Sequence, residues 1–344
     1  MHRARFLIPF IIIVPLLALS VGALRYLTNV ARQGAARLPE VISTAASENL
    51  GLKVKIGGVK VLDSGIALSN VLVSSSGNPK QPLLQAPKAF IACNPLTLLK
   101  GDDPAKSIKR ITLTKPEIYL ERDPRGTWNL ESLLRRADAG SKSGFRAAIC
   151  VESARIHVTD RTADAAHYRN TFSGVNAQVN LSKMPSIRYA VRGVGERGRL
   201  GWFTAGGDYN SLTGALTAAV KVRDADAPYW ASYLPGKPCL ILSGKAGVDA
   251  VLSRRKEGRI IYKAMVRIKG GSARLTNSAA RLDNINGSFV ADNNSVNVTG
   301  NARLGQTPFN IKGRVEGFSS PKLALSISSN HANLKELARI AGLK

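Results

Sequence analysis

The sequence predicts a mainly β protein, in which an N-terminal transmembrane helix precedes an elongated, curled antiparallel β-sheet with a few short helices. Three observations predict this fold class. Residues 6–24 are uncharged and mostly apolar. Apolar and polar residues alternate at strand period through most of the chain after Gly51. Turn-forming residues recur about every 8–15 residues, which is typical of antiparallel meanders.

The first element is the apolar run Phe6–Leu24, whose nineteen residues are enough for a helix to cross a hydrocarbon core about 30 Å thick. The run is longer than the apolar region of about 7–15 residues in a signal peptide. We therefore interpret residues 1–25 as an uncleaved signal anchor, with cleavage after Val21-Gly22-Ala23 as the alternative. Arginines flank both ends of the run, so the positive-inside rule does not fix its orientation.

Residues 26–50 form the second predicted element, a linking helix that Pro39 bends and that ends before Gly51. A first β module follows over residues 51–137. Its predicted strands begin near Val54, Ile66 and Leu84, and a fourth, which begins near Ile111, is interrupted near Pro116. Asn129 is predicted to cap a short helix.

A small, polar segment at residues 138–144 predicts a linker, and residues 145–344 form the second β module. Strands here alternate apolar with polar or basic residues, as in Tyr262–Lys269. Two helical segments, Asp226–Tyr233 and His331–Ile340, interrupt or follow the strands.

The net charge of +26 over 344 residues predicts anionic partners, which could be phospholipid head groups, acidic polysaccharide or nucleic acid. Nucleic acid is disfavoured because the chain has no nucleic-acid-binding fingerprint and its Lys and Arg residues are spread along strands. Trp202, Trp230 and Tyr233 could lie at a membrane interface or in the core of the sheet.

Catalytic and cofactor motifs are rejected on their context. Gly193–Gly198 matches Gly-x-Gly-x-x-Gly, but a strand pattern follows it where a nucleotide site needs a helix, so we interpret it as a hairpin turn. His157 and Asp160 point to opposite faces of a strand, which argues against a metal site with Asp164 and His167. The sequence contains no catalytic constellation, so we expect neither an enzyme nor a cofactor.

The three cysteines share no metal-binding or disulfide spacing, and we interpret them as small buried hydrophobic residues. They are Cys93, Cys150 and Cys239.

The apolar face of a long sheet must be covered by a second sheet, by barrel closure or by a hydrophobic ligand. Because covering helices are scarce, we expect a curled sheet that holds acyl chains. The candidate groove residues are the apolar strand positions Ile66, Leu68, Ile118, Leu120, Val220, Val266, Ile268, Phe289, Val298 and Ile311.

Several segments, in order along the chain, resemble the AsmA-like superfamily, including the N-terminal region of TamB-type envelope proteins. Glu48–Val54 is similar to the family's glycine-terminated entry into the first strand, and Gly65–Val71 looks like its next strand. Arg122–Leu130 contains the family's Gly-x-Trp-Asn-Leu element. Leu282–Phe289 and Phe309–Val315 look like its repeated strand units.

The resemblance implies a single-pass inner-membrane anchor, a body in the periplasm and a taco-like β-groove with an apolar interior. It also implies transfer of phospholipids between the inner and outer membranes and a role in outer-membrane biogenesis. The expectation that anionic phospholipids are accepted comes from the Lys and Arg residues and not from the resemblance.

Two other functions stay open. One is a periplasmic scaffold that receives strands of outer-membrane β-barrel proteins by β-augmentation, with outer-membrane assembly proteins as partners. The other is an adhesin-like β-sandwich that binds acidic polysaccharide through its basic face.

Overall fold

The computed structural model describes most of the β-sheet region. The described residues are 39–40, 43–44, 47, 52–75, 82–94, 107–129, 146–162, 168–231, 239–255, 258–275, 280–317, 320 and 322–331. The predicted anchor at 1–25 and the predicted terminal helix after His331 lie outside them, as does the linker at 138–144. Within the described part of the chain, no helix has both the length and the apolar character to span a membrane.

Hydrogen bonds join sixteen strands into one sheet, and the described helical structure is scarce. The strands are β1 Leu52–Leu62, β2 Gly65–Ser75, β3 Pro82–Cys93, β4 Ile108–Thr114, β5 Glu117–Arg122, β6 Ala148–Asp160, β7 Tyr168–Asn180, β8 Ser186–Gly195, β9 Trp202–Asn210, β10 Leu216–Asp226, β11 Cys239–Arg254, β12 Ile260–Leu275, β13 Arg281–Asp292, β14 Ser295–Leu304, β15 Thr307–Glu316 and β16 Lys322–Ser328. The prediction of a mainly β, antiparallel protein is confirmed.

One short helix, α1 (Ala227–Ala231), lies within the predicted segment Asp226–Tyr233. The described positions of the predicted linking helix, residues 39, 40, 43, 44 and 47, are also helical.

The chain divides into two compact units. Unit 1 comprises residues 1–194 and 208–212, and unit 2 comprises residues 195–207 and 213–344. The division therefore places β6, β7 and residues 186–194 of β8 with unit 1, although these strands lie in the second predicted module. The reason is that β6 pairs directly with β4 and β5, and β7 pairs with β6.

These two pairings are parallel, an exception within the antiparallel sheet. Residues 123–147 separate β5 from β6, which is long enough for the chain to return and run in the same direction. The predicted interruption near Pro116 is present: β4 ends at Thr114, β5 starts at Glu117, and both lie along β6. Local periodicity carries no information about such a long-range pairing.

Unit 1 has a packed apolar core. Alternate residues of β1 are buried, with Leu52, Val54 and Ile56 inside and Lys53 and Lys55 exposed, as expected for a strand with one covered face. Unit 1 also contributes most of the largest fully buried side chains, namely Val73, Ile108, Leu120, Ile149, Val175 and Leu181.

Candidate functional site

Unit 2 presents a continuous apolar face across its seven consecutive strands β10–β16. Directly paired residues of antiparallel strands lie on the same side of a sheet, so the register defines rows that cross the strands. The middle row is Val222, Val248, Val266, Phe289, Val298, Gly313 and Leu325. The row on one side of it is Ala246, Ile268, Gly287, Gly300, Ile311 and Ile327. The row on the other side is Val220, Ala250, Ala264, Ala291, Val296, Val315 and Leu323.

We call these three rows the apolar face, and its residues remain accessible. Every member from β10 to β15 is half-buried. In β16, the last strand, Leu323, Leu325 and Ile327 are 64%, 46% and 63% exposed. The face is therefore apolar and only partly covered.

Six of the ten sequence-predicted groove residues lie together on this face. They are Val220, Val266, Ile268, Phe289, Val298 and Ile311. Alternation along each strand predicted two faces but not how the faces of different strands match, and the register supplies that match.

The other four predicted groove residues lie in the core of unit 1. Ile66, Leu68, Ile118 and Leu120 are only 2–4% exposed, and Ile118 pairs with the equally buried Leu84 of β3. These side chains pack against protein, so the candidate site consists of the residues in unit 2.

Two glycines bring neighbouring strands close together within the apolar face. Gly287 of β13 pairs directly with Gly300 of β14. A Cβ atom added to Gly300 would lie 2.6 Å from the Asn286 carbonyl oxygen and 2.9 Å from the Gly287 Cα. The backbone itself therefore forms the surface between Ile268 and Ile311.

The opposite side of unit 2 carries most of its charged residues, together with Val251 and Ile261, which are 59% and 58% exposed. Asp249 of β11 accepts hydrogen bonds from Arg223 Nη2 at 2.7 Å and from Arg267 Nη1 at 2.6 Å, which links β10, β11 and β12. These two hydrogen bonds lower the pKa of Asp249 below its usual value. Arg223 also lies over the ring of Trp202, 5.5 Å from its centre.

The two described aromatic candidates have different surroundings. Trp202 is 41% exposed. Trp230 of α1 is half-buried, and its Nε1 donates a hydrogen bond to the Arg199 carbonyl oxygen at 2.8 Å. Arg199 in turn packs over the ring of Tyr229 at 4.2 Å. Trp230 is thus part of a local packing cluster, while Tyr233 lies outside the described residues.

The residues that the sequence analysis excluded as nucleotide or metal sites make local structural contacts. Strand β9, not a helix, follows Gly193–Gly198. His157 stacks on Tyr119 with ring centres 4.8 Å apart, whereas Asp160 pairs with Arg122 at 3.5 Å. No group of three potential metal ligands occurs within the described ranges, and Asp164 and His167 lie outside them.

Cys93 is buried, Cys150 and Cys239 are half-buried, and all three are free thiols. Burial raises the pKa of the Cys93 thiol, consistent with its interpretation as a small hydrophobic residue.

Asn129 was predicted to cap a helix that lies outside the described residues. The side chain of Asn129 forms two hydrogen bonds to the backbone of β5. The amide oxygen accepts from the Glu121 N–H at 3.1 Å, and the amide nitrogen donates to the Tyr119 carbonyl at 2.9 Å.

No protein-family model and no curated protein matches this chain. The resemblance to the AsmA-like superfamily therefore stays a prediction from the motifs.

Proposed function

We propose that this chain is a membrane-anchored, non-catalytic lipid-handling protein of the cell envelope, which holds phospholipid acyl chains against the apolar face of unit 2. The observation that carries the proposal is the half-exposed apolar surface that continues over seven paired strands. Contiguous apolar surface of more than a few hundred Å² is rare on soluble proteins unless it binds something. An acyl chain suits a face that has apolar contacts along its whole length.

The dimensions of the face fit such a ligand. Neighbouring strands lie about 4.8 Å apart, so six spacings from β10 to β16 give a width of about 29 Å. A bilayer core about 30 Å thick holds two layers of acyl chains. The chains of one phospholipid would therefore cover about half of the face, which leaves room for movement along it.

The chemistry needed is burial alone. Each CH₂ group removed from water contributes about 0.8 kcal/mol, and this contribution needs no specific side chain. Phospholipids would be transferred by diffusion along the rows. A taco-like groove, as the resemblance to the AsmA-like superfamily implies, would shield their acyl chains from water. No residue performs chemistry in this mechanism.

Head groups would stay in water at the margins of the face. The positive charge of unit 2, which includes Lys221, Lys263 and Lys312 on the opposite side of the sheet, would favour anionic lipids through the field of the whole protein. The inner-membrane anchor, the periplasmic position of the body and the role in outer-membrane biogenesis also belong to this proposal, and they rest on the resemblance.

Site-specific photo-crosslinking of the full chain in cells labelled with radioactive phosphate tests the proposal. A photoreactive amino acid at Val266 or Phe289, which pair with each other on the apolar face, should give phosphate-labelled adducts. The matched controls are Arg267 and Ser288, which pair with each other one position along the same two strands. Because they point to the opposite side, they should give at most a small fraction of that labelling.

Equal labelling at both pairs, or none at either, would contradict a lipid-binding face. If Phe289 instead crosslinks to unfolded outer-membrane barrel protein without lipid, the scaffold function would replace lipid handling.

A further inference from the structure

The two edges of the sheet differ in how they are covered. At the unit 1 edge, the Val54 and Ile56 N–H groups of β1 donate to the hydroxyls of Ser47 and Ser43 at 2.9 and 3.0 Å. At the unit 2 edge, β16 pairs with β15 alone among the described strands. A strand edge with open N–H and C=O groups is a template for another strand.

The sequence of β16 lacks the features that usually protect an edge. Natural edge strands carry inward charges, prolines or bulges. Lys322–Ser328 reads Lys-Leu-Ala-Leu-Ser-Ile-Ser, so its one charge is at the first residue and it contains no proline. Its pairing with β15 runs without a register shift, and all seven residues are exposed.

We propose that β16 pairs antiparallel with β16 of a second copy of this chain, about a two-fold axis at Leu325. In this register Leu325 lies opposite the partner's Leu325, and Leu323 lies opposite the partner's Ile327. Lys322 lies opposite the partner's Ser328, so no like charges are paired. The contact is the same on both chains, as a two-fold interface requires.

Continuity of the apolar face favours a second copy as the occupant. An incoming strand extends the three rows only if its apolar residues fall at every second position in matching register. β16 itself supplies that pattern at 323, 325 and 327. The pairing would then join two apolar faces across the seam and lower the exposure of Leu323, Leu325 and Ile327 towards that of the half-buried rows of β10–β15.

The high net charge does not oppose this contact at the seam. On β16 the one cation of the polar side is Lys322, which pairs with Glu316 of β15 and lies opposite the partner's Ser328 in the proposed register. The next cations, Lys312 and Arg314, lie on β15. Across the seam the two β15 strands are three spacings apart, about 14 Å. That separation exceeds the Debye length of about 8 Å at physiological ionic strength, so their repulsion is largely screened.

The contact is small, since a seven-residue strand is about 23 Å long. Interfaces of this size are usually weak. We therefore expect a concentration-dependent dimer and not a permanent one.

Disulfide trapping of the full chain tests both the partner and the register. In a background in which Cys93, Cys150 and Cys239 are replaced by Ala, the Leu325→Cys variant should form a covalent dimer upon mild oxidation. Ala324→Cys should crosslink efficiently only when mixed with Ser326→Cys, because these two positions lie opposite each other in the proposed register. Val61→Cys is the matched control, since Val61 is an apolar residue of the covered edge strand β1 and is 52% exposed; it should stay monomeric.

Sedimentation of the native chain without any cysteine change supplies the second measurement. We expect a dimer fraction that rises with concentration and falls at least tenfold in Leu325→Lys, with unchanged circular dichroism. A native chain that stays monomeric at high concentration overturns the proposal. So does self-crosslinking of Ala324→Cys as efficient as that of Leu325→Cys, because it would show random collision.

Two other occupants give distinct results, and each would also overturn the proposal. If residues 332–344 of the same chain cover the edge, Leu325→Cys stays monomeric and its thiol is protected from maleimide. If a different protein binds there, the crosslinked product in cells has the mass of a heterodimer.

Discussion

Unit 1 and unit 2 are built from strands with the same alternation of apolar and polar residues, yet they bury their apolar side chains to different extents. In unit 1, Val73, Ile149 and Leu120 are 0%, 1% and 2% exposed. In unit 2, Leu200 is the only large apolar side chain that is buried among the described residues, and the other buried apolar residues are alanines. One unit has a closed core, and the other has an open face.

The edges show the same difference. At the unit 1 edge two serine hydroxyls accept hydrogen bonds from β1, whereas the unit 2 edge strand β16 carries the exposed side chains of Leu323, Leu325 and Ile327. A closed core contributes stability, and an open face leaves surface for a ligand or a partner. Burial therefore concentrates stability in unit 1, whereas unit 2 leaves open the surface on which we propose binding.

Introducing an aspartate into each unit should have the largest effects, on folding in unit 1 and on lipid binding in unit 2. Leu120→Asp buries a carboxylate in the core of unit 1, which costs several kcal/mol, a large part of the stability of a typical domain. Val266→Asp places the same charge on the half-exposed face, so the protein should stay folded but lose lipid adducts. Circular dichroism and lipid crosslinking measure the two outcomes. A folded Leu120→Asp variant, or lipid labelling that survives Val266→Asp, would remove the distinction between the units.

The close approach of β13 and β14 in unit 2 predicts the next largest effect, a loss of stability. Gly300→Ala forces its new Cβ to within 2.6 Å of the Asn286 carbonyl oxygen, and we expect a loss of about 1–3 kcal/mol in the free energy of unfolding. Gly247→Ala is the matched control, because the nearest atom to its Cβ is 3.5 Å away; its effect should stay within about 0.5 kcal/mol. Urea unfolding measures both, and equal losses would mean that the Gly287–Gly300 contact is not tight.

The covered edge of unit 1 predicts a smaller effect. Ser47→Ala removes the hydroxyl that accepts from the Val54 N–H, and an unpaired part-buried N–H costs about 1 kcal/mol. Hydrogen exchange at Val54 should therefore accelerate by about fivefold, a free-energy loss of about 1 kcal/mol. Thr44→Ala, whose hydroxyl donates to the Glu40 carbonyl within the helix, should leave that exchange rate unchanged. If Thr44→Ala accelerated hydrogen exchange at Val54 more than Ser47→Ala did, the serines would not protect this edge.

The polar side of unit 2 predicts the smallest effect. The hydrogen bonds from Arg223 and Arg267 lower the pKa of Asp249, so their contribution to stability is present above the ordinary carboxyl pKa. It is lost as the pH falls through the lowered value. Arg267→Gln should raise the Asp249 pKa towards its usual range in a carbon-13 NMR titration, whereas Arg274→Gln should not. Because Asp249 is at the surface, the change in stability is expected to be small.

The sequence predicted the strands of both units well because side chains alternate across a strand with a period of two residues. This period located β1–β3 from Val54, Ile66 and Leu84, and it located β12 and β16 from their alternating residues. It did not predict that β6 would return parallel to β4 and β5, since nothing local records a pairing across residues 123–147.

The candidate site was predicted in part for the same reason. Val266 and Ile118 have the same apolar character and the same strand context, so the sequence assigned both to the groove. In the structure Ile118 is 3% exposed, whereas Val266 is half-buried. The serine caps at Ser43 and Ser47 had no sequence signal, because a hydroxyl finds a strand edge only after the helix has been placed beside it.

The sequence alone therefore determined which segments are strands and which side chains of each strand share a face, because both follow from the local period of the backbone. The pairing of distant strands set how the faces of successive strands align and which of them become covered. Those outcomes depend on register and on contacts between distant residues. The open face of unit 2 exists because seven registered strands bring their apolar residues into common rows while the described part of the chain leaves those rows only partly covered.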